Sequence, residues 1–417
     1  MSALADRIGA CVDRDRLVRT ASELVAIPSP TGMEEAAARY YLGELEDAGL
    51  DVTWQEVEPG RANAVGRLPG AGTGPSLMFN GHLDTSYRGD EPWLEGPGFK
   101  PDPIIRDDAI LGLGIMNMKG AVACYVEAVR ALADAGVRLA GDLVVAGVAG
   151  EIEKTQWRQW GEEYEGPEYR GYGVGTRHLV ASGVVTDACI LGEPSEERVV
   201  LGHWGSMWAR ISTEGPFFHT AFSLGRSHEN AIVRLRDVID AVVDWIPHWE
   251  ERGSYEGRPG VVNIGAVRGG FPWRVSRTPH RADVFLDIRV PPTMSMQEAV
   301  RELDELVHDL QRRFPDHGVT SEVFVTAPGA EIAEDDPLVR AVDIGHEAVF
   351  GDPPEHDVVR WASDASTLTR YGVASLNYGP ISSALPGPEG ETVPIDSLVR
   401  IATSYAVTAT EFCGVSA

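Results

Sequence analysis

Hydrophobic and polar positions follow two alternating periods along the first half of the chain. Short apolar runs typical of buried strands are separated by longer segments with the 3.6-residue spacing of amphipathic helices. Strands that alternate with helices in this way form a mainly parallel sheet covered on both faces. The predicted helices are 13–27, 34–48, 119–135 and 174–181, and the predicted strands are 51–57, 76–79, 143–148 and 188–191.

The middle of the chain has a different pattern. It predicts two long helices, 229–250 and 296–314, and four strands, 207–213, 261–267, 282–290 and 319–325. This combination is typical of a separate α+β domain. The segments 337–349, 364–371, 374–377 and 395–410 then resume the first pattern. We therefore predict a discontinuous α/β domain, residues 1–200 and 326–417, interrupted by an inserted domain, residues 201–325.

Composition narrows the class of protein. The 417 residues carry a formal charge of −27, which disfavours binding to nucleic acid or to an anionic membrane surface. The first 19 residues are polar and lack the apolar core of a signal peptide. The four cysteines are far apart and form no CxxC pair, so we expect reduced thiols in a cytoplasmic protein.

Candidate chemistry lies where the predicted strands end. His82 and Asp84 follow one strand, Glu151 follows a second and Glu193 a third. Ligands collect at the carboxyl ends of strands in open α/β sheets. An imidazole and carboxylates suit Zn²⁺ or Mn²⁺, and a further Glu can take a proton from a water molecule. The alternative for each residue alone is a solvated group in a surface turn.

An ordered series of motifs resembles one family. The chain is similar to the metallopeptidases and deacylases that include acetylornithine deacetylase, succinyl-diaminopimelate desuccinylase, aminoacylase and glutamate carboxypeptidase. The matching segments are 81–84, 114–120, 150–151, 192–195, 218–220 with 230–232, 287–289, 363–365 and 378–380. The resemblance implies a zinc-peptidase-like catalytic domain with a mainly parallel sheet. It also implies an inserted α+β, ferredoxin-like domain that serves as a lid and in dimerisation.

The resemblance also implies a pair of metal ions, but this chain departs from the pattern. The bridging Asp of the family corresponds to Asn117, the second Glu of its Glu-Glu motif to Ile152, and its C-terminal His to Gly387. One metal site therefore keeps His82 and Glu193, with Asn117 as a neutral oxygen donor. Because the other site keeps no side-chain ligand, we expect one labile divalent ion, Zn²⁺ or Mn²⁺.

Some residues offer replacements for the lost ligands. Glu153 is a substitute for the missing Glu if its loop is bulged, and His346 or His356 for the missing His. Exposed histidines are the simpler interpretation of both. Glu151 stands where the family has its general base. Its presence argues that this chain is an active enzyme and not an inactive member of the family.

The resemblance assigns further roles. His219 of a partner subunit would stabilise the oxyanion, and Asp84 would orient His82. Arg289 would grip a substrate carboxylate, although an ion pair is an equal alternative. Arg274 and Asn230 are further candidates for substrate binding, and the lengthened segment 271–276 suggests altered recognition. The aromatic segment 157–172 is either a wall of the active site or a small core or oligomer contact.

These observations predict a metal-dependent hydrolase that cleaves a C–N amide bond in a small carboxylate-bearing substrate. We expect a deacylase or carboxypeptidase that forms a homodimer or larger homo-oligomer. One alternative is hydrolytic deamination of an aromatic amine on the same scaffold. Another is a metal-free binding protein derived from the family.

Overall fold

Four adjacent parallel strands form the centre of the larger sheet. The computed structural model describes residues 2–152, 171–381 and 387–416. The strands are β1 Asp51–Glu58, β2 Arg61–Leu68, β3 Leu77–His82, β4 Ile104–Arg106, β5 Ala109–Leu111, β6 Leu143–Val148, β7 Ala188–Leu191, β8 Val199–His203, β9 Gly205–Glu214, β10 Val261–Gly269, β11 Arg281–Val290, β12 Thr320–Ala327, β13 Ala330–Glu331, β14 His356–Val359, β15 Ala374–Asn377 and β16 Thr392–Pro394. The α-helices are α1 Ser2–Gly9, α2 Arg14–Ala26, α3 Glu35–Asp47, α4 Gly120–Asp134, α5 Val174–Ala181, α6 Ala231–Arg252, α7 Met296–Arg313, α8 Pro337–Phe350, α9 Ala365–Arg370 and α10 Ile395–Cys413.

The strand order of the larger sheet is β1-β2-β6-β3-β7-β15-β8-β13, with β14 beside β8. The pairs β6–β3, β3–β7 and β7–β15 are parallel, whereas β1–β2, β2–β6 and β15–β8 are antiparallel. The predicted mainly parallel α/β sheet is therefore confirmed. Since β6, β3 and β7 are neighbours, the residues that follow these three strands meet at one edge.

Local sequence explains the helices that cover this sheet. The Asp13 carboxylate caps α2 by accepting hydrogen bonds from the N–H groups of Asp15 and Arg16. The strands β3 and β6 are buried along their full length, because helices cover both faces. Helix α1 was not predicted; its short polar sequence becomes helical because Ile8 is fully buried and the helix contacts α10.

A second sheet belongs to a separate compact unit. Its order is β10-β11-β9-β12, antiparallel throughout, and α6 and α7 pack on it through a core of their own. Helix α7 begins with a capping box in which Ser295 and Glu298 bond reciprocally. A third, small sheet has the order β16-β5-β4 and was not predicted.

The two units divide the chain as residues 1–201, 331–357 and 363–417 in unit 1, and residues 202–330 and 358–362 in unit 2. Our predicted boundaries placed 326–330 and 358–362 in the first domain. They lie in unit 2 because β12 continues its pairing with β9 to Ala327, and because the Val359 carbonyl accepts the Trp204 N–H. Among the described residues, no helix is long and apolar enough to cross a membrane.

Candidate active site

Three neighbouring strand ends bring one imidazole and two carboxylates together. His82 ends β3, Glu151 follows β6, and Glu193 follows β7. The His82 Nε2 atom lies 3.9 Å from Glu151 Oε2 and 3.9 Å from Glu193 Oε1. Within residues 2–152, 171–381 and 387–416, these form the one group of at least three potential metal-binding side chains, with ligand atoms within 4.8 Å of one another.

His82 is held on both sides of its ring. Its Nδ1 lies 3.0 Å from the Asp84 carbonyl oxygen and 3.4 Å from the Asp84 Oδ1. Its Nε2 lies 2.9 Å from the Asn117 Oδ1. Burial by itself lowers the pKa of His82, but the hydrogen bond to Asp84 and the surrounding carboxylates raise that pKa well above its ordinary value. The ring is thereby oriented with Nε2 toward the carboxylates.

The Asp84 carboxylate connects His82 to the backbone that follows β6. Its Oδ1 accepts the Glu151 N–H at 3.1 Å, and its Oδ2 accepts the Ile152 N–H at 3.2 Å and the Thr31 hydroxyl at 2.8 Å. Burial alone raises the pKa of Asp84, yet His82 and these hydrogen bonds lower it to about 2. Asp84 therefore stays ionised and fixes both the His82 ring and the backbone that carries Glu151.

One carboxylate oxygen at the strand ends lacks a compensating hydrogen-bond donor among the described residues. The Glu193 Oε1 is buried and has no hydrogen-bond partner among the described residues. Burial, followed by the charges of Asp364 and Asp84, raises the pKa of Glu193 to about 7. Burial and then the charge of Glu193 raise the pKa of Glu151 well above its ordinary value. A buried carboxylate needs a cation or a hydrogen-bond donor beside it. The imidazole and the two carboxylates therefore form a set of ligands that fits a divalent cation.

Asp364 is a further buried carboxylate near this cluster. Its Oδ2 accepts the Thr176 hydroxyl at 2.5 Å, and burial raises its pKa to about 6. Residues 363–365 carried part of the family resemblance, but no function followed from them. Only packing against α5, which carries Thr176, makes Asp364 part of the electrostatic surroundings of Glu193.

The Asn117 loop, residues 112–119 between β5 and α4, is anchored from two directions. Gly114, at its start, has φ +85°, and a Cβ there would lie 2.7 Å from the Thr85 Cγ2, so only glycine fits. The buried Lys119 Nζ donates to the carbonyl oxygens of Leu24 and Ile27 at 2.9 and 2.8 Å. Burial lowers the pKa of Lys119 to about 7.

On the other side of the loop, the buried Glu391 Oε2 accepts the N–H groups of Gly114 and Met116 at 3.0 Å each, and that of Asn117 at 3.4 Å. Burial raises the pKa of Glu391 to about 7. The sequence analysis gave Glu391 no role, because its partners lie 274 to 277 residues earlier in the chain.

Neither proposed substitute histidine lies in the cluster. His346 was expected to be exposed, and that is wrong: it is buried, stacks on Phe350 and places its Nδ1 2.7 Å from the Tyr378 hydroxyl. Burial lowers the pKa of His346 to about 4. His356 instead contacts Asp343 and Glu334. Glu153 and the aromatic segment up to residue 170 lie outside the described residues.

The remaining candidates belong to unit 2. His219 is half-buried, forms an isolated bridge with Arg277, and its Nδ1 accepts the Ala221 N–H at 3.2 Å. Arg289 donates to the Asp287 carboxylate at 2.8 Å, which is the ion pair considered as the alternative. The Asn230 side-chain oxygen accepts the Ile232 N–H at 2.9 Å and caps α6. Arg274 is exposed in a short 3₁₀ turn.

Comparison with known proteins agrees with this architecture. The chain is 24% identical to N-formyl-4-amino-5-aminomethyl-2-methylpyrimidine deformylase of Bacillus subtilis, over 93% of this chain and 92% of that protein. It is 26% identical to succinyl-diaminopimelate desuccinylase of Gluconacetobacter diazotrophicus, over 93% and 94%. The solved structure of a Saccharomyces cerevisiae di-peptidase superposes with a TM-score of 0.77 at 14% identity, over 99% of both chains.

Residues 78–411 match the peptidase family M20/M25/M40 over most of the sequence. The resemblance predicted from the ordered motifs is therefore confirmed, as is the expected class of enzyme, a metal-dependent hydrolase of amide bonds. By its sequence match and its fold, the chain belongs to peptidase family M20/M25/M40.

Proposed function

We propose that this protein removes an acyl group from nitrogen, or cleaves a short peptide, in a small carboxylate-bearing substrate, with one labile Zn²⁺ or Mn²⁺. The observation that carries the proposal is the buried Glu193 Oε1, which has no hydrogen-bond partner in the described part of the chain and lies 3.9 Å from the His82 Nε2. The names of the relatives support the reaction class, because one removes a formyl group and another a succinyl group.

His82 and Glu193 would hold the cation, with the Asn117 Oδ1 as a neutral third donor. When bound, the cation would supply Lewis acidity, which polarises a carbonyl group and makes a nearby water more acidic. The Asn117 Oδ1 is 2.9 Å from the His82 Nε2 in this structure, so the amide is already beside the nitrogen that would bind the cation. Because the amide is uncharged, it cannot neutralise a second cation.

Glu151 is the proposed general base. Its backbone N–H is bonded to Asp84, and its side chain projects toward His82 and Glu193. Glu151 would accept a proton from the attacking water and pass it to the departing nitrogen. In the metal-free protein, burial and the charge of Glu193 raise the pKa of this carboxyl group, and a carboxylate of higher pKa is a stronger proton acceptor.

The proposed preference for substrates that carry a carboxylate depends on arginines of unit 2. Arg289 is occupied by Asp287, so a substrate carboxylate there would share the guanidinium with that residue. Arg274 is exposed and lies in the lengthened segment 271–276. The register of β10 and β11 places Arg289 opposite Val261 and Arg274 beyond Gly269, at the other end of the sheet. Because one subunit cannot bring both to one small carboxylate, we propose Arg274 for that contact. Asn230 would act only indirectly, by fixing the start of α6.

The surroundings of His219 support a role in a homo-oligomer. Segments 215–230 and 268–281, here called the basic tip, contain five arginines and a single carboxylate, Glu229, in a chain of net charge −27. The segments pair through the Thr220 N–H to the Ser276 carbonyl and the Thr278 N–H to the Phe218 carbonyl. An arginine-rich tip is electrostatically complementary to a cluster of carboxylates. We propose that His219 serves the active site of a partner subunit.

Mixing two inactive variants tests this proposal. Glu151→Gln and His219→Ala are each expected to be nearly inactive alone, whereas mixed dimers contain one site with both residues intact. Activity should therefore return on mixing, to about a quarter of the wild-type value if subunits exchange at random. A mixture as inactive as its components would show that His219 does not act across subunits.

A substrate panel tests the reaction itself. After chelation and reloading with Mn²⁺ or Zn²⁺, the protein is offered N-formyl, N-acetyl and N-succinyl amino acids, dipeptides and aromatic amines. We expect release of a carboxylic acid or an amino acid, and slower turnover when the substrate carboxylate is replaced by an amide. Release of ammonia from an aromatic amine would overturn the proposal in favour of deamination. Absence of ion binding even with substrates present would overturn it altogether.

A further inference from the structure

Glu391 is the one described side chain whose carboxylate receives backbone N–H groups from the Asn117 loop. Two of these contacts, from Gly114 and Met116, are 3.0 Å long, and a third, from Asn117 itself, is 3.4 Å. All three end on the same oxygen, Oε2. A buried carboxylate that accepts several N–H groups is a strong, charge-assisted anchor.

The position of Glu391 is itself set by the fold. Its own N–H donates to the Gly98 carbonyl, and its carbonyl accepts the Gly112 N–H. The following strand β16 pairs with β5, which leads directly into the Asn117 loop. The carboxylate therefore reaches the loop from a backbone that is hydrogen-bonded on both sides of the residue.

The effect of Glu391 reaches the proposed cation site through one residue. Asn117 donates its backbone N–H to the Glu391 Oε2 at 3.4 Å, and its Oδ1 lies 2.9 Å from the His82 Nε2. Its backbone is not helical, with φ −125° and ψ 93°, and neither is that of Met118, with φ −135° and ψ 32°. A regular helix does not stabilise this conformation. The hydrogen bonds that Glu391 accepts from Gly114, Met116 and Asn117 therefore hold the residue in place.

We propose that Glu391 is a positioning residue that sets the Asn117 amide against His82. This inference rests on the proposed function only for its effect on catalysis. Without the charge of Glu391, three N–H groups lose their charge-assisted acceptor, and the loop can rotate the Asn117 amide away from the His82 ring. The chain thus retains a carboxylate in the C-terminal segment even though Gly387 stands where the family has a metal-binding His.

Glu391→Gln tests the proposal, with Glu389→Gln as the matched control. Glu389 lies two residues away, is exposed and pairs with Arg106, outside the Asn117 loop. In metal-free protein, the ¹⁵N resonances of the His82 ring, assigned with His82→Gln, should shift in Glu391→Gln and stay unchanged in the control. In the Mn²⁺-loaded protein, kcat should fall by about 10–100-fold with KM altered by less than about threefold.

Unchanged His82 resonances in Glu391→Gln would overturn the proposal. So would equal losses of kcat in the two variants. If Glu391→Gln does not fold, Glu391→Asp keeps the charge and should show a smaller shift of the same resonances. If wild-type protein hydrolyses no substrate in the panel, the proposed function fails, while the resonances of the metal-free protein still decide the role of Glu391.

Discussion

Replacing Glu151 with Gln is expected to lower kcat by about 10²–10⁴-fold, the range that a positioned general base contributes. Gln has the shape of Glu and keeps the backbone bond from residue 151 to Asp84, but its amide cannot accept a proton. KM should change little, because Glu151 is proposed to act on water and not on the ground-state substrate. Steady-state kinetics on the best substrate of the panel provide the measurement.

The control for this variant is Glu355→Gln, which removes an exposed carboxylate that pairs with Arg198. It should leave kcat unchanged, and the ion content of Glu151→Gln should remain that of the wild type. A Glu151→Gln protein with more than about a tenth of wild-type kcat would remove Glu151 from the role of base. Loss of the bound ion would instead make Glu151 a ligand.

Asn117→Asp is expected to tighten the binding of one divalent ion by at least about tenfold, because a charged oxygen replaces a neutral one beside His82. The number of ions should remain one. Ile152 and Gly387 stand at the other ligand positions, and neither offers a donor side chain. Titration of metal-free protein with Mn²⁺ gives the affinity, and elemental analysis of the loaded protein gives the count.

Two further variants locate the measured ion. His82→Gln should abolish tight binding, since it removes the only imidazole of the described cluster. Asn263→Asp adds the same charge at an exposed position in unit 2 and should leave the affinity unchanged. Unaltered affinity in Asn117→Asp would show that Asn117 does not face the ion. Two ions bound to the wild type would contradict the proposed single site.

Much of the candidate site could be predicted because its residues lie at the ends of elements with clear periodicity. His82 and Glu193 directly follow short apolar runs, and the order of parallel strands makes such ends converge. In each case the signal lies within a few residues of the site residue.

Other features had no local signal. The contact of Glu391 with Gly114 joins positions 277 residues apart, and the Thr176–Asp364 bond joins positions 188 apart. The burial of His346 depends on Phe350 and Tyr378, and the tyrosine comes from a distant segment. The assignment of 358–362 to unit 2 depends on the bond between Val359 and Trp204.

The sequence by itself therefore determined the class of fold, the family and the loss of charge at Asn117, because these depend on residue type and on periodicity along the chain. Only the tertiary structure decided which charges are buried together. It showed that the Glu193 Oε1 has no hydrogen-bond partner within residues 2–152, 171–381 and 387–416, that Arg289 is paired with Asp287, and that Glu391 anchors the Asn117 loop. These features arise from contacts between segments that are distant in the sequence. The burial of each charged group and its distance from other charges set the free-energy cost of keeping it ionised.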